Sequence, residues 1–208
     1  MARRSDHTRE ELKRIALDAA HRITKQEGLR GLRARQIARD IGYTVGTLYN
    51  LFGDFDDLIV HMNGETLDAL FETCAGAPSS NDPVRYLEAL AERYLDFTHS
   101  HPKQWSAIFE HKLPFNRPQP EWFTEKIVKL MALEERALAP LFPDGNPEEV
   151  HHHARVLWTS LFGMALVESA GRLPEGETAR SLVRSLIETY VAGLESGKRS
   201  MGAIPSEL

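Results

Sequence analysis

The 208-residue chain has one cysteine, Cys74. A single thiol excludes an internal disulfide framework and fits a reducing cytoplasm, where Cys74 is expected to be a small buried or linker residue. No run of about 18 apolar residues occurs, so no membrane-spanning helix is expected. The opening MARRSDHTREELKR lacks the apolar segment of a secretory signal. Alternating runs of Val, Ile, Thr and aromatic residues are missing too, which argues against a sheet. Compact catalytic signatures are equally scarce. There is no Gly-x-Ser-x-Gly, no phosphate loop, no Gly-x-Gly-x-x-Gly and no metal-ligand spacing. The chain is therefore not expected to be an enzyme, and no cofactor or metal is expected. His151-His152-His153 does not change this. Consecutive helical residues point about 100° apart, so three in a row cannot chelate one ion from one helix. Carboxylates such as Glu134 and Glu135 fit a solvated helix face.

What is present is unevenly distributed charge. The net charge is −5. Residues 1–52 nevertheless hold 11 Lys and Arg against 6 Asp and Glu, and the remainder 14 against 24. A basic head on an acidic body suggests an anionic partner for the head.

The hydrophobic pattern is helical almost throughout, giving an all-α chain of about nine helices. Thr8 and Glu11 form a capping box before Leu12, Ile15, Ala16, Ala19, Ala20 and Ile23, and Gly28 ends that helix. Short helices follow over about 34–41 and 45–51, separated by Gly42. Asp54 caps a fourth helix reaching about Phe71. CAGAPSSNDP is the best linker, and Asp82-Pro83 opens the next helix. A short segment around Trp105 and Phe109, the loop LPFNRPQPEW and a helix over about 120–138 come next. Asn146-Pro147 starts a helix that Gly171 ends. LPEGE opens the last one, and the tail from Gly197 is expected to be mobile.

IARDIGYTVGTLYNLF has the spacing of a helix-turn-helix with its first position at Ala34. Ala38 is small where two helices cross steeply, and Gly42 supplies positive φ at the turn. Ile37, Ile41, Leu48 and Leu51 plug the hairpin onto the first helix. Thr44, Val45, Gly46, Thr47, Tyr49 and Asn50 are left facing outward. They are small or hydrogen-bonding, as suits a helix that enters a DNA groove. An ordinary helical hairpin would more often show Glu and Lys there.

These residues, from Thr8-Arg9-Glu10 through Gln36–Gly42 to Val45-Gly46-Thr47-Leu48-Tyr49-Asn50-Leu51-Phe52 and Leu58, resemble the N-terminal domain of the Tet-repressor (TetR) family. The resemblance is close over residues 8–60 and architectural beyond. A weaker likeness joins Trp158–Gly163 to a Trp-x-x-x-His-Gly motif of one C-terminal subgroup, with Phe162 at the His position. The resemblance implies a helix-turn-helix DNA-binding domain over residues 1–53 and a larger helical effector-binding and dimerisation domain over 54–208. It implies a cytoplasmic regulator of transcription, most often a repressor, that binds double-stranded DNA at a palindromic operator as a homodimer. A small ligand would release it. Thr47 and Tyr49 would hold phosphates, Thr44, Val45 and Asn50 would lie near bases or backbone, and Arg33 and Arg35 would meet phosphate or base edges. Two positions depart from the family. Val45 stands where Lys is common, and Phe55 replaces a phosphate-binding Lys among Asp54, Asp56 and Asp57. Those aspartates repel phosphate, so affinity is expected to rest on Arg3, Arg4, Arg33 and Arg35.

In the body, aromatic residues at helical spacing are expected mostly to pack. Part of the set, Tyr94, Trp105, Phe109, Trp122, Trp158 and Phe162 with His111, is the candidate lining of a pocket for an apolar or aromatic effector. His99, His101, Asn116 and Glu168 are further polar handles. Leu157, Leu161, Ala165, Leu182, Leu186, Tyr190 and Leu194 supply a candidate dimer surface. The competing reading is a helical adaptor or activator without strong sequence-specific DNA binding.

Overall fold

The computed structural model describes residues 7–142 and 146–201, with side chains to Ser196. Arg3, Arg4 and the tail beyond Met201 lie outside the described residues. Among those described there are nine α-helices and no strand. They are α1 (Arg9–Glu27), α2 (Ala34–Asp40), α3 (Val45–Phe52), α4 (Phe55–Ala75), α5 (Pro83–Ser100), α6 (Pro102–Glu110), α7 (Glu121–Leu138), α8 (Pro147–Ser169) and α9 (Ala179–Met201).

Helix starts follow side-chain chemistry. Thr8 Oγ1 accepts from the Glu11 amide and Glu11 accepts from the Thr8 amide, so the capping box is complete. Asp54, Asp82, Asn146 and Thr178 each accept from an amide in the first turn of α4, α5, α8 and α9. Each cap satisfies a donor that the helix itself leaves orphaned. Three elements differ from the sequence pattern. α6 is a full helix, with Pro102 in its first turn. LPEGE does not open α9. It forms a turn in which the Glu177 amide bonds the Pro174 carbonyl and Gly176 has φ 85°, and α9 starts later. Gly197 does not end α9, which continues to Met201.

The chain divides into two compact units. One comprises the residues up to Ala69 with Ser100–Lys126, and the other Leu70–His99 with Ile127 onward. In the first, α1 packs against α2, α3 and α6. Its core holds Ala16, Ala20, Ile23, Leu32, Ile37, Ala38, Leu48, Leu58 and Met62, all nearly inaccessible to solvent. Ala107 of α6 belongs to the same core. In the second unit, α8 packs against α9. Leu87, Leu90, Leu95, Leu130, Leu133, Ala137, Leu138, Leu157, Leu161, Val183 and Ile187 are buried there.

Candidate nucleic-acid interface and buried cavity

The turn between α2 and α3 is closed by two backbone bonds. The Tyr43 amide bonds the Ala38 carbonyl at 2.8 Å, and the Gly42 amide bonds the Arg39 carbonyl at 3.1 Å. This paired arrangement needs a left-handed residue after the helix, and Gly42 has φ 78°. The tight turn brings α3 back across α2 on Ala38, which is 2% exposed.

Thr44 then starts α3. Its Oγ1 accepts from the Thr47 amide at 3.3 Å and lies 3.1 Å from Thr47 Oγ1. When Thr47 donates its hydroxyl proton to Thr44, both lone pairs of Thr44 are filled and its own O–H points elsewhere. The pair thus offers one hydroxyl donor to an outside acceptor such as a phosphate oxygen. Asn50 is exposed, and Tyr49 is an exposed aromatic at 43%.

Arg33, Arg35, Gln36, Arg39, Val45 and Tyr49 line one open concavity along α2 and α3. Three guanidinium groups and no carboxylate face it, so it is a cationic groove. Arg33 is held back by donating to the Arg30 and Leu32 carbonyls. Arg39 and Gln36 carry no role in the sequence reading. Arg39 sits four residues after Arg35, hence on the same helical face, and that spacing was the available signal.

The three aspartates after α3 are compensated. Arg117, from the loop after α6, donates to Asp54 at 2.7 Å and to Asp57. His111 Nε2 lies 3.0 Å from Asp56. The Asp57 amide, together with Arg117, holds the Asp54 carboxyl below the usual carboxylate range.

The candidate effector residues fall into separate groups. Trp105 and Phe109 stack edge-on at 5.2 Å, and Trp122 stacks on His61 at 5.0 Å, all in the first unit with His111. Burial and then Lys13 lower the His61 pKa. Tyr94 and Trp158 lie in the second unit, edge to face at 5.4 Å. Phe162, half-buried, is on α8 of that unit. His99 and Glu168 pair with each other at 2.8 Å, and Glu168 also accepts from the Ala179 amide.

Tyr94 and Trp158 help to line a small cavity in the second unit with Cys74, Leu90, Leu130, Leu133, Glu134 and Leu161. Its volume of about 10 Å³ admits one water-sized group. Glu134 corrects the sequence reading. It is 7% exposed, not on a solvated face. The reason is register. Leu130, Leu133, Ala137 and Leu138 form the buried stripe of α7, and Glu134 occupies the same stripe. Burial, with Glu135 adding repulsion, pushes its carboxyl up to about 8. Burial likewise pushes the Cys74 thiol up to about 12.

Among the described residues no group of three or more His, Cys, Asp and Glu could hold a metal ion. His151 pairs with Glu135, and His153 Nδ1 lies 2.6 Å from the Tyr190 hydroxyl. No described helix is long and apolar enough to cross a membrane.

A cationic groove framed by a tight helix-turn-helix defines a class, the helix-turn-helix DNA-binding proteins. Comparison with known sequences narrows it. Residues 16–62 match the model of bacterial regulatory proteins of the tetR family, and residues 87–190 match the tetracyclin repressor-like C-terminal domain. The chain belongs to the TetR family of transcriptional regulators. No curated protein matches the sequence. Solved structures share the fold. A Rhodococcus sp. RHA1 protein of unknown function is 21% identical with a TM-score of 0.73, over 93% of this chain and 99% of its own. A TetR-like transcriptional regulator from Rhodococcus sp. RHA1 is 20% identical with a TM-score of 0.61, over 90% and 99%. The TetR family transcriptional regulator PfmR from Thermus thermophilus is 17% identical with a TM-score of 0.56, over 86% and 98%.

Proposed function

We propose that this chain is a cytoplasmic repressor that binds an inverted-repeat operator as a homodimer and leaves it when a small molecule binds its body. Residues 1–53 read the DNA, and 54–208 receive the effector and dimerise. The observation that carries the DNA reading is the acid-free groove of Arg33, Arg35 and Arg39 beside Val45 and Tyr49. Thr44, Thr47 and Asn50 extend that face. The arginines supply phosphate affinity, and the short side chains of α3 let its backbone approach base edges.

The dimer reading rests on α8 and α9. Leu166 and Val167 are large apolar residues left 45% and 40% exposed. Gly163 and Gly193 lie inside these helices, and nothing stands within 4 Å of where a Cβ would be. Glycine within a helix costs about 0.5–1 kcal/mol relative to alanine. Close approach of a partner helix is a physical reason to keep it. Two heads then meet successive major grooves roughly 34–36 Å apart. The effector is received in the second unit, at the cavity of Tyr94 and Trp158.

The experiment is selection from random duplex DNA at physiological salt. Enrichment of an inverted repeat is expected, with binding that falls steeply as salt rises. Arg35→Ala and Tyr49→Phe should weaken retention while leaving the thermal midpoint unchanged. Retention only at low salt, without an enriched sequence, would favour the helical adaptor.

A further inference from the structure

Glu134 poses a chemical problem inside the second unit. It is 7% exposed, and its Oε2 has no hydrogen-bond partner among the described residues. A buried carboxyl without a partner is costly in either protonation state, more so when ionised. The cavity it faces offers it little. Leu90, Leu130 and Leu161 are apolar, the Cys74 thiol is a weak donor, and no Lys, Arg or His lines the space. The aromatic walls are Tyr94 and Trp158, whose ring faces carry negative quadrupoles. No cation on this lining answers the Glu134 carboxyl, so its ionised form favours a guest of positive charge.

We propose that this cavity takes a protonated amine carried on an apolar, aromatic body, with the Glu134 carboxylate pairing with the ammonium and Tyr94 and Trp158 enclosing the ring. The cavity as it stands holds one water-sized group, so a ring enters by displacing a wall. Trp158 is the wall that can move, because it is half-buried while Tyr94 is 1% exposed. The charge class follows from Glu134 alone. Its consequence for regulation rests on the reading of the chain as a ligand-released repressor. The carboxyl, pushed up to about 8, carries its proton near neutral pH in the unliganded protein. Pairing with an ammonium favours the ionised form, so that proton passes to the buffer as the amine binds.

Calorimetric titration of the full-length protein tests this with three probes that share a phenylethyl body: 2-phenylethylamine, 2-phenylethanol and 3-phenylpropanoate. The amine is expected to bind at least about tenfold more tightly than the alcohol, and the propanoate most weakly. Its binding heat at pH 7 should vary with the ionisation enthalpy of the buffer, which reports the released proton. Glu134→Gln should erase both the amine preference and the buffer dependence while leaving alcohol binding in place. A carboxyl with a purely structural role would move neither readout. Equal binding of amine and alcohol, no binding by any probe, or an amine preference that survives Glu134→Gln overturns the proposal. The wild-type buffer series decides the matter even if the variant does not fold. Retention of the selected operator, followed in parallel, separates the two readings. Glu134-dependent amine binding with unchanged operator affinity keeps the site and removes ligand release. Operator release by a compound indifferent to Glu134 does the reverse.

Discussion

Glu134 makes folding stability depend on pH in a sense opposite to that of most carboxylates. Its pKa is raised to about 8 from 4.5, first by burial and then by Glu135. The folded protein therefore keeps this proton over a range where the unfolded chain has lost it. The stabilising contribution is complete below about 4.5, declines as pH rises, and is gone above about 8. Glu134→Gln stays neutral throughout. Its unfolding free energy in urea should match wild type near pH 4.5 and exceed it by on the order of several kcal/mol at pH 8.5. Parallel pH profiles for the two proteins would contradict this. A single acidic residue on an amphipathic helix usually reads as surface, and that default hid Glu134. Leu130, four residues before it, and Ala137 and Leu138, three and four after it, carried the opposite message. By contrast Thr8, Gly42 and Asn146 were legible because caps and turns act over a few residues.

At the level of elements, the loop from His111 to Pro120 completes the start of α4. Arg117 neutralises Asp54 and Asp57, which lie directly after α3, and His111 lies within hydrogen-bond distance of Asp56. Replacing Arg117 with alanine should expose that negative charge. Operator affinity is expected to fall several-fold at low salt and to recover relative to wild type as salt screens the repulsion. Fluorescence anisotropy across a salt series would show it, and equal affinity at every salt would mean the aspartates do not influence the DNA face. The sequence showed the acidic run but not its partners. Arg117 lies 63 residues from Asp54. No periodicity links a Pro-rich loop to a helix start over that distance. The same limit applies to the aromatic set. Helical spacing marked Trp105, Trp122 and Trp158 as inward-facing, but it could not say that they fall in different units.

For the whole molecule, association is the main expectation. Wild-type protein should sediment as a dimer at micromolar concentration. Gly163→Phe adds a ring where one protomer has open space, so it should leave helical content intact while shifting the protein to monomer. A monomeric wild type, or a variant that remains dimeric, would remove α8 and Gly163 from the interface. Of the apolar residues that suggested this surface, Leu157, Leu161 and Ala165 are buried within the protomer. Leu182, Leu186, Tyr190 and Leu194 are half-buried. Sequence pattern alone does not divide a two-sided helix between its own core and a partner.

The lone cysteine has a practical consequence. Cys74 is buried on the cavity wall, with a thiol pushed up to about 12. Neither access nor ionisation lets an alkylating reagent react with it in the closed state. Since the chain holds no other thiol, the rate at which intact protein gains one iodoacetamide adduct times the transient opening of that wall. A residue with no chemistry of its own thus becomes a clock for the interior. It should tick slowly in the folded protein and fast in urea.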